Sequence, residues 1–440
     1  MQGMIVAAVT DLDLTKENRM KMKQLLLVLA IMLVVALPAF ADPYHYGNSL
    51  IGDRASGMGT AYTAISDDAT GLYYNPAGIV YATGKNISAS VNAYSTITKV
   101  YQGAIAGQDW VRKSSALLPN YFGVVQPLGD FKVGFSYAVP DTSQEDQDQV
   151  FTNISAATGR YIIDFNNDDT TYNFGPSIAY ELRSNLSVGA TLYFHRRRNQ
   201  FILNQLVNRN DGTNEWTNQY FETTENGLRP IVGVMWSPVA KLSLGLAVSK
   251  TFVFSGKTSG QLMCSSSTTQ GCPLGTATPV PFYPTLADTQ FPLTTNDKRK
   301  YPTEISLGAA YFPSERLLVS GDVRYFDALK DATFGDKEAV VNMALGTEYY
   351  VNGGLAVRAG LFTDKANTKD VDSNKTNQQD HVDIYGLSTS VSSFTKNTSV
   401  TLGGSYMWGD GKAQVISGVT NIQDLHAQGW TVFLSSSYSY

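Results

Sequence analysis

The chain has 440 residues and a formal net charge of -5, and only 16% of its residues are charged. Soluble domains usually carry about 25% charged residues, so this composition is poor in charge. The small negative net charge gives no indication of nucleic-acid binding. The 25 Tyr and 38 Gly fit a protein with many strands and turns.

The N-terminus carries the pattern of a secretory signal. An apolar run over residues 25–37 follows two lysines and precedes an Ala-Phe-Ala cleavage pattern that ends at Ala41. The run is shorter than the about 20 apolar residues that cross a bilayer. We therefore predict a signal peptide over residues 1–41, in which residues 1–19 are a start-site extension. The alternative is an N-terminal membrane anchor.

From residue 85 onward, apolar and polar residues alternate with a period of two. In one such run, Leu186, Val188 and Ala190 are separated by Ser187 and Gly189. Strict alternation predicts strands with one apolar and one polar face. No second long apolar run follows the signal, which excludes a helical membrane protein. We count about fourteen strands.

The connections between these strands alternate between short turns and long loops. The longest loops predicted in the first half are 99–118, 140–170 and 204–219, and the last strand ends on Tyr440. An even strand number with turns at one rim and loops at the other is typical of a transmembrane barrel. We predict an all-β protein whose residues 85–440 form an antiparallel transmembrane barrel. The alternative is a soluble β-sandwich or repeat protein.

Two cysteines, Cys264 and Cys272, lie in one polar segment. In an exported protein they are candidates for a loop disulfide. They have no flanking histidine or second cysteine pair, so we predict no metal site. The sequence contains no G-x-S-x-G motif, no Walker loop and no CxxC motif, and we predict neither an enzyme nor a bound cofactor.

Residues 42–84 lack the period of two and are rich in small residues, with Gly57 and Gly59 early and Asn75-Pro76-Ala77 near the end. Proline fixes φ, and asparagine hydrogen-bonds the local backbone, so Asn75-Pro76-Ala77 predicts a rigid turn. This segment resembles the N-terminal plug of the FadL family of outer-membrane transporters. That family carries long-chain fatty acids and other hydrophobic compounds, aromatic hydrocarbons among them.

The resemblance implies that residues 42–84 form a plug, or hatch, in the lumen of a fourteen-stranded barrel. It implies passive diffusion of a hydrophobic small molecule across the outer membrane of a Gram-negative bacterium. The implied partners are that ligand, lipopolysaccharide, outer-membrane lipid and the insertion machinery that reads the last strand, with no nucleic acid. The alternatives are a scaffold or shuttle for secreted proteins, a polar porin, and an outer-membrane hydrolase.

Several charged residues fall on the polar face of neighbouring strands and are expected to face the lumen. Two interpretations stay open: a ladder of ion pairs that binds the plug, or side chains that contact the ligand. Counting from the hairpins places Glu304 near Arg324 and Glu348 near Arg358. The basic run from His195 to Arg198 is expected to face lipopolysaccharide phosphates. The candidate lumen residues are Glu304, Asp322, Arg324, Glu348 and Arg358.

Overall fold

The computed structural model describes residues 44–47, 49–266, 293–296, 298–331, 334–415 and 420–439. The predicted signal peptide, Cys272 and Tyr440 lie outside these ranges. Cys264 is described only as a strand position, so the disulfide prediction is not tested.

Antiparallel strands make up most of the described chain and belong to one sheet. Their bounds are β1 Asn86–Ile105, β2 Gln108–Leu128, β3 Phe131–Thr152, β4 Thr158–Arg183, β5 Leu186–Arg209, β6 Asn214–Val239, β7 Leu242–Lys250, β8 Phe252–Ser266, β9 Leu293–Thr295, β10 Thr303–Ser314, β11 Leu317–Phe326, β12 Val340–Asn352, β13 Leu355–Asp364, β14 His381–Val382, β15 Ile384–Phe394, β16 Thr398–Ala413 and β17 Gln423–Ser439.

These segments combine into fourteen barrel strands. β7 and β8 pair with successive parts of β6, so they form one strand that is interrupted at Thr251. β14 and β15 both pair with β16 and are interrupted at Asp383. The short β9 pairs only with β8 among the described strands. β1 pairs with both β2 and β17, which closes the sheet and confirms the predicted barrel.

The two faces of the wall differ as the alternation predicts. On neighbouring strands, Leu307, Leu345 and Leu361 are exposed on the outside, where lipid would cover them. Residues that alternate with the outward ones, such as Ser306 beside Leu307 and Ser320 beside the exposed Val319, are buried on the inside. Closure lets neighbouring strands bond each other's backbones around the barrel, which is the condition for crossing a membrane.

The predicted outer loops 99–118, 140–170 and 204–219 are wrong, because most of these residues continue the strands. β1 and β2 are joined at Ala106–Gly107, β3 and β4 by residues 153–157, and β5 and β6 by residues 210–213. Here polar residues occupy both faces, so the period of two that marks a half-buried strand is lost.

Short helices precede the barrel: α1 Asp53–Gly57, α2 Gly71–Tyr74 and a 3₁₀-helix over Pro76–Tyr81. Within the described ranges, no helix is long and apolar enough to cross a membrane. Residues 44–47 and 49–84 are called the plug below.

Candidate functional site

The plug is bonded to strands on many sides of the barrel. Asn120 of β2, Ser187 of β5 and Arg324 of β11 donate to plug backbone carbonyls at 2.7, 2.9 and 2.7 Å. Thr401 of β16 donates to the Asp53 carboxylate at 3.2 Å. A segment that contacts strands all round a closed barrel lies in its lumen.

Glycines of the wall let the plug backbone approach closely. At Gly360 an added Cβ would lie 2.2 Å from Gly59 N, and at Gly233 it would lie 2.0 Å from Asn75 Oδ1. Such distances leave no room for any side chain. Glycine is therefore required where these strands face the plug. The wall glycines whose Cβ would meet plug atoms within 2.8 Å are Gly134, Gly189, Gly233, Gly245, Gly308, Gly346 and Gly360.

The predicted plug motif lies at the centre of these contacts. Asn75 Nδ2 donates to Thr63 O at 2.8 Å and to Val234 O of the wall at 3.1 Å. Asn75 Oδ1 accepts from Ala77 N at 3.2 Å, and Pro76 begins the 3₁₀-helix. The turn thus joins two parts of the plug to β6.

The remaining motif residues, Gly57 and Gly59, lie against β13 and β15. An added Cβ at Gly57 would lie 2.0 Å from Ser390 Oγ, and Gly59 has a φ of 62°, which favours glycine.

Three of the five candidate lumen charges contact the plug directly: Glu348, Asp322 and Arg324. Glu348 accepts from Arg358 Nε at 2.6 Å, the pair that the hairpin register predicts, and from Arg54 Nη2 at 2.7 Å. Asp322 Oδ2 accepts from two plug backbone amides, Tyr62 N at 3.0 Å and Thr63 N at 2.9 Å. These contacts agree with the first of the two interpretations, in which the wall charges bind the plug.

The predicted proximity of Glu304 and Arg324 is confirmed, since both line one small cavity beside the plug, but they do not form an ion pair with each other. Glu304 lies opposite Phe326 in the register, and its ion pair is with Arg229 of β6 at 2.9 Å. Arg324 instead donates to the plug carbonyl of Thr60. Counting along one hairpin misses Arg229, because β7 separates β6 from β10.

A cavity of about 160 Å³ lies between the plug and the wall. Plug residues Tyr46 and Tyr73 line one side of it, and residues of β3 to β7, β10 and β11 line others. Glu304 is the one candidate lumen residue of the five that lines it. The other aromatic lining residues are Tyr301, Phe326 and Phe334. No cluster of three or more His, Cys, Asp or Glu suited to a metal occurs in the described ranges.

The basic run on β5 divides between the two faces of the wall. His195 and Arg197 are buried and line the cavity, which corrects their predicted orientation towards lipopolysaccharide. Arg198 is 52% exposed and pairs with Glu222 at 3.1 Å. Within this basic run, only Arg196 and Arg198 are therefore exposed on the outer face. The period-two alternation of β5 predicts this division, but it is hard to recognise in the sequence because four basic residues follow one another.

The charges beside the cavity form a paired network. Arg197 binds Asp169 and also Glu225, the latter at 3.0 Å. Glu225 accepts in addition from Arg299 Nε at 3.2 Å and from Tyr301 Oη at 2.9 Å. Each of these guanidinium groups already has a carboxylate partner.

The seam between β2 and β3 is the weakest pairing in this part of the wall. Backbone pairing runs from Leu128–Phe131 up to Tyr121–Ala138, and beyond it only Ser114–Glu145 is paired within residues 108–152. Residues 115–120 and 139–144 face each other without backbone pairs. Pro140, which has no N–H to donate, lies here and lines the cavity.

Above this gap, glutamine side chains replace the backbone ladder. Gln147 Oε1 accepts from Lys113 N at 2.9 Å, and Gln149 Oε1 accepts from Val111 N at 3.0 Å. Gln108 Nε2 donates to Thr152 O at 2.7 Å. The two strands are thus held apart by a side-chain length.

Comparison with known structures shows the same fold. A FadL homologue of Pseudomonas aeruginosa superimposes with a TM-score of 0.64 at 15% identity, covering 91% of this chain and 99% of that one. The toluene transporter TodX of P. putida gives 0.60 at 14% identity, covering 90% and 99%. The Ralstonia pickettii toluene transporter TbuX gives 0.55 at 12% identity, covering 89% and 98%.

A family profile described as outer membrane protein transport protein (OMPP1/FadL/TodX) matches residues 46–429. A search of proteins with curated descriptions gives no match. The family match includes most of the plug and nearly the whole barrel. The chain therefore belongs to the FadL/TodX family of transport proteins in the outer membrane of Gram-negative bacteria.

Proposed function

We propose that this protein carries hydrophobic small molecules, long-chain fatty acids or related hydrocarbons, inward across the outer membrane by passive diffusion. The ligand leaves the cavity sideways, through the seam between β2 and β3. The observation that carries this proposal is the position of Pro140 and Asp141, which line the cavity at the unpaired part of that seam. Family membership and the toluene transporters among the structural neighbours support the ligand class.

A sideways route is favoured over an axial one by the energetics of the plug. Axial passage would break the buried ion pairs of Glu348 and the contacts of the plug backbone with the wall glycines. Opening the seam between residues 115–120 and 139–144 breaks no backbone ladder. On its outer face Leu117 is 70% exposed, so the gap opens beside an apolar surface.

Cross-linking the seam tests the route. Leu117→Cys with Thr142→Cys places a disulfide at positions that the flanking register sets opposite each other, in a Cys264→Ser, Cys272→Ser background. We expect oxidation to lower the initial uptake of labelled oleate or toluene at least about 10-fold, and reduction to restore it.

Leu307→Cys with Val323→Cys is the matched control, because these residues are paired within a continuous ladder. Its oxidation should leave uptake unchanged. Normal uptake through an oxidised β2–β3 seam would overturn the sideways route. Absence of uptake in every variant and in the parent would favour the scaffold alternative.

A further inference from the structure

Several polar atoms that border the cavity are buried without a hydrogen-bond partner. They are Tyr46 Oη, His195 Nε2, and both side-chain polar atoms of Asn367. His195 is 2% exposed and Asn367 is fully buried. A buried polar atom without a partner costs about 1–3 kcal/mol, so such a group calls for a ligand atom.

The hydrogen bond on the other side of the His195 ring fixes what Nε2 offers. His195 Nδ1 lies 3.1 Å from Asn173 Oδ1, and an amide oxygen can only accept. The ring proton is therefore on Nδ1, which donates to Asn173. In this neutral tautomer Nε2 is an acceptor, and its complement is a ligand donor.

Tyr46 and Asn367 supply hydrogen-bond donors to the same cavity. Burial raises the pKa of the Tyr46 hydroxyl above its ordinary value, with the Asp327 charge adding to the effect. The hydroxyl is thus a protonated donor at physiological pH. The cavity therefore presents both an acceptor, His195 Nε2, and donors, Tyr46 Oη and Asn367 Nδ2.

A hydroxyl group is the ligand chemistry that uses both, because it donates one hydrogen bond and accepts others. A carboxylate only accepts, so it leaves His195 Nε2 without a partner. A hydrocarbon leaves all of these atoms without partners. The cavity guanidiniums of Arg197, Arg229 and Arg299 already bind Asp169, Glu304 and Glu225, so they are not free for a carboxylate.

The size and lining of the cavity define the rest of the ligand. A protein cavity of about 150 Å³ holds benzene, and this cavity measures about 160 Å³. Tyr46 and Phe326 stack at 4.6 Å between ring centroids, and Tyr301 meets His195 edge-on at 5.2 Å. Aromatic walls of this kind favour a planar ring over a flexible chain.

We infer that the cavity recognises a hydroxylated single-ring compound, a phenol, and that His195 is the residue that determines this specificity. The inference rests on the proposed function and narrows its ligand class. The phenol hydroxyl donates to His195 Nε2, and its oxygen accepts from Tyr46 or Asn367.

Calorimetric titration of the purified protein in detergent with phenol, toluene and benzoate tests this inference. We expect phenol to bind about 10-fold more tightly than toluene, as one added hydrogen bond predicts. His195→Phe keeps a ring but removes the acceptor, and it should abolish the difference between phenol and toluene. His195→Gln keeps an oxygen acceptor and should retain part of it.

His426→Phe is the matched control, since His426 lies on an exposed part of β17 and pairs with Asp410. It should bind all three probes as the parent does. Heat-modifiable migration on a gel verifies that each variant is folded. Toluene or benzoate binding as tightly as phenol in the parent would overturn the inference, and so would a phenol preference that survives His195→Phe.

The seam cross-link separates this inference from the proposed function. If uptake stops on oxidation of the seam while phenol shows no preference, only the ligand class is wrong. If the phenol preference depends on His195 while the oxidised seam still transports, only the route is wrong.

Discussion

The wall residues that bind the plug, called the seat below, and the cavity lie side by side in one lumen, but their ionised and ring groups are hydrogen-bonded differently. In the seat, Glu348 has two arginine partners and Asp322 accepts from two backbone amides. At the cavity, His195 Nε2 and the Asn367 side chain are buried without partners. Satisfied groups fix one arrangement, whereas unsatisfied ones favour a ligand that completes them.

The packing of the two regions indicates which part of the lumen can rearrange and which part is rigid. Seven wall glycines let plug atoms pack closely against the wall, and at five of them the plug atom is backbone, so a shift of the plug loses many contacts at once. The cavity ends at a seam whose strands are joined by few backbone bonds. We therefore expect binding and release to take place beside the plug while the plug stays in position.

The largest expected effect comes from a side chain placed in the seat. Gly360→Val puts its Cβ 2.2 Å from Gly59 N, a backbone atom that cannot move alone. We expect the folded, heat-modifiable form to be lost, because the cost exceeds the about 1–3 kcal/mol of ordinary overpacking. The measurement is gel migration of outer-membrane fractions with and without boiling.

Gly321→Val is the matched control for this change. Gly321 faces outward on β11, opposite the exposed Leu345, and its nearest neighbour is the end of that flexible side chain at 3.2 Å. It should fold as the parent does. A folded Gly360→Val barrel that also excludes polar antibiotics would show that the seat is not rigid.

A smaller effect is expected from removing the charge at the centre of the seat. Glu348→Gln leaves Arg54 and Arg358 without their shared carboxylate, and breaking a buried pair costs about 3–5 kcal/mol. We expect a clear fall in the thermal unfolding midpoint in detergent. Asp336→Asn breaks the exposed pair with Lys330 and should not change the midpoint measurably. Equal midpoints for the two variants would contradict the comparison.

The smallest expected effect is a pH dependence within the plug. Burial, helped by Asp53, raises the pKa of Asp68 to about 6, although Arg54 opposes the shift. The folded state therefore holds this proton more tightly than the unfolded chain. The stabilisation of the folded state by this proton is complete below about pH 4 and is lost as pH rises through about 6.

We expect Asp68 to contribute about 1 kcal/mol to the pH dependence of the free energy of unfolding. This is less than the full pKa shift implies, because Asp68 is only half-buried. Asp68→Asn keeps the acceptor for Thr70 N and should remove this part of the dependence. Thermal midpoints of parent and variant between pH 4 and pH 7.5 are the test. Parallel curves would show that another group carries the change.

Sequence was sufficient for the barrel because lipid imposes a simple rule on strands. Each strand must pair its backbone within a closed sheet and turn one apolar face outward. Apolar and polar residues therefore alternate along the strand with a period of two. Strand residues above the lipid need no apolar outer face, so they lack the period of two. For this reason the sequence predicts a loop over residues 140–170, most of which continue β3 and β4.

The site was harder to predict because its partners come from distant parts of the chain. Glu348 and Arg358 share one hairpin, so counting from its turn finds their pair. Glu304 and Arg229 are separated by the intervening β7 strand and a long connection, and no count finds them. Pro140 is visible in the sequence, but the missing pairs beside it depend on how β2 lies against β3.

The unequal strand lengths also set the height of the rim above the lipid. β4 and β6 have 26 residues each, whereas β11 and β13 have 10. At about 3.3 Å per residue and a tilt of about 40°, these strands rise about 65 Å and about 25 Å along the membrane normal. The apolar band of a barrel is about 25 Å tall, so only the first group extends well above it.

The rim of the barrel is consequently slanted. On its low side Glu304 and Phe326 lie at the outer ends of β10 and β11, and both line the cavity. A compound dissolved among the acyl chains of lipopolysaccharide is thus level with the cavity there. On the high side, the long hairpins separate the same cavity from the polysaccharide layer.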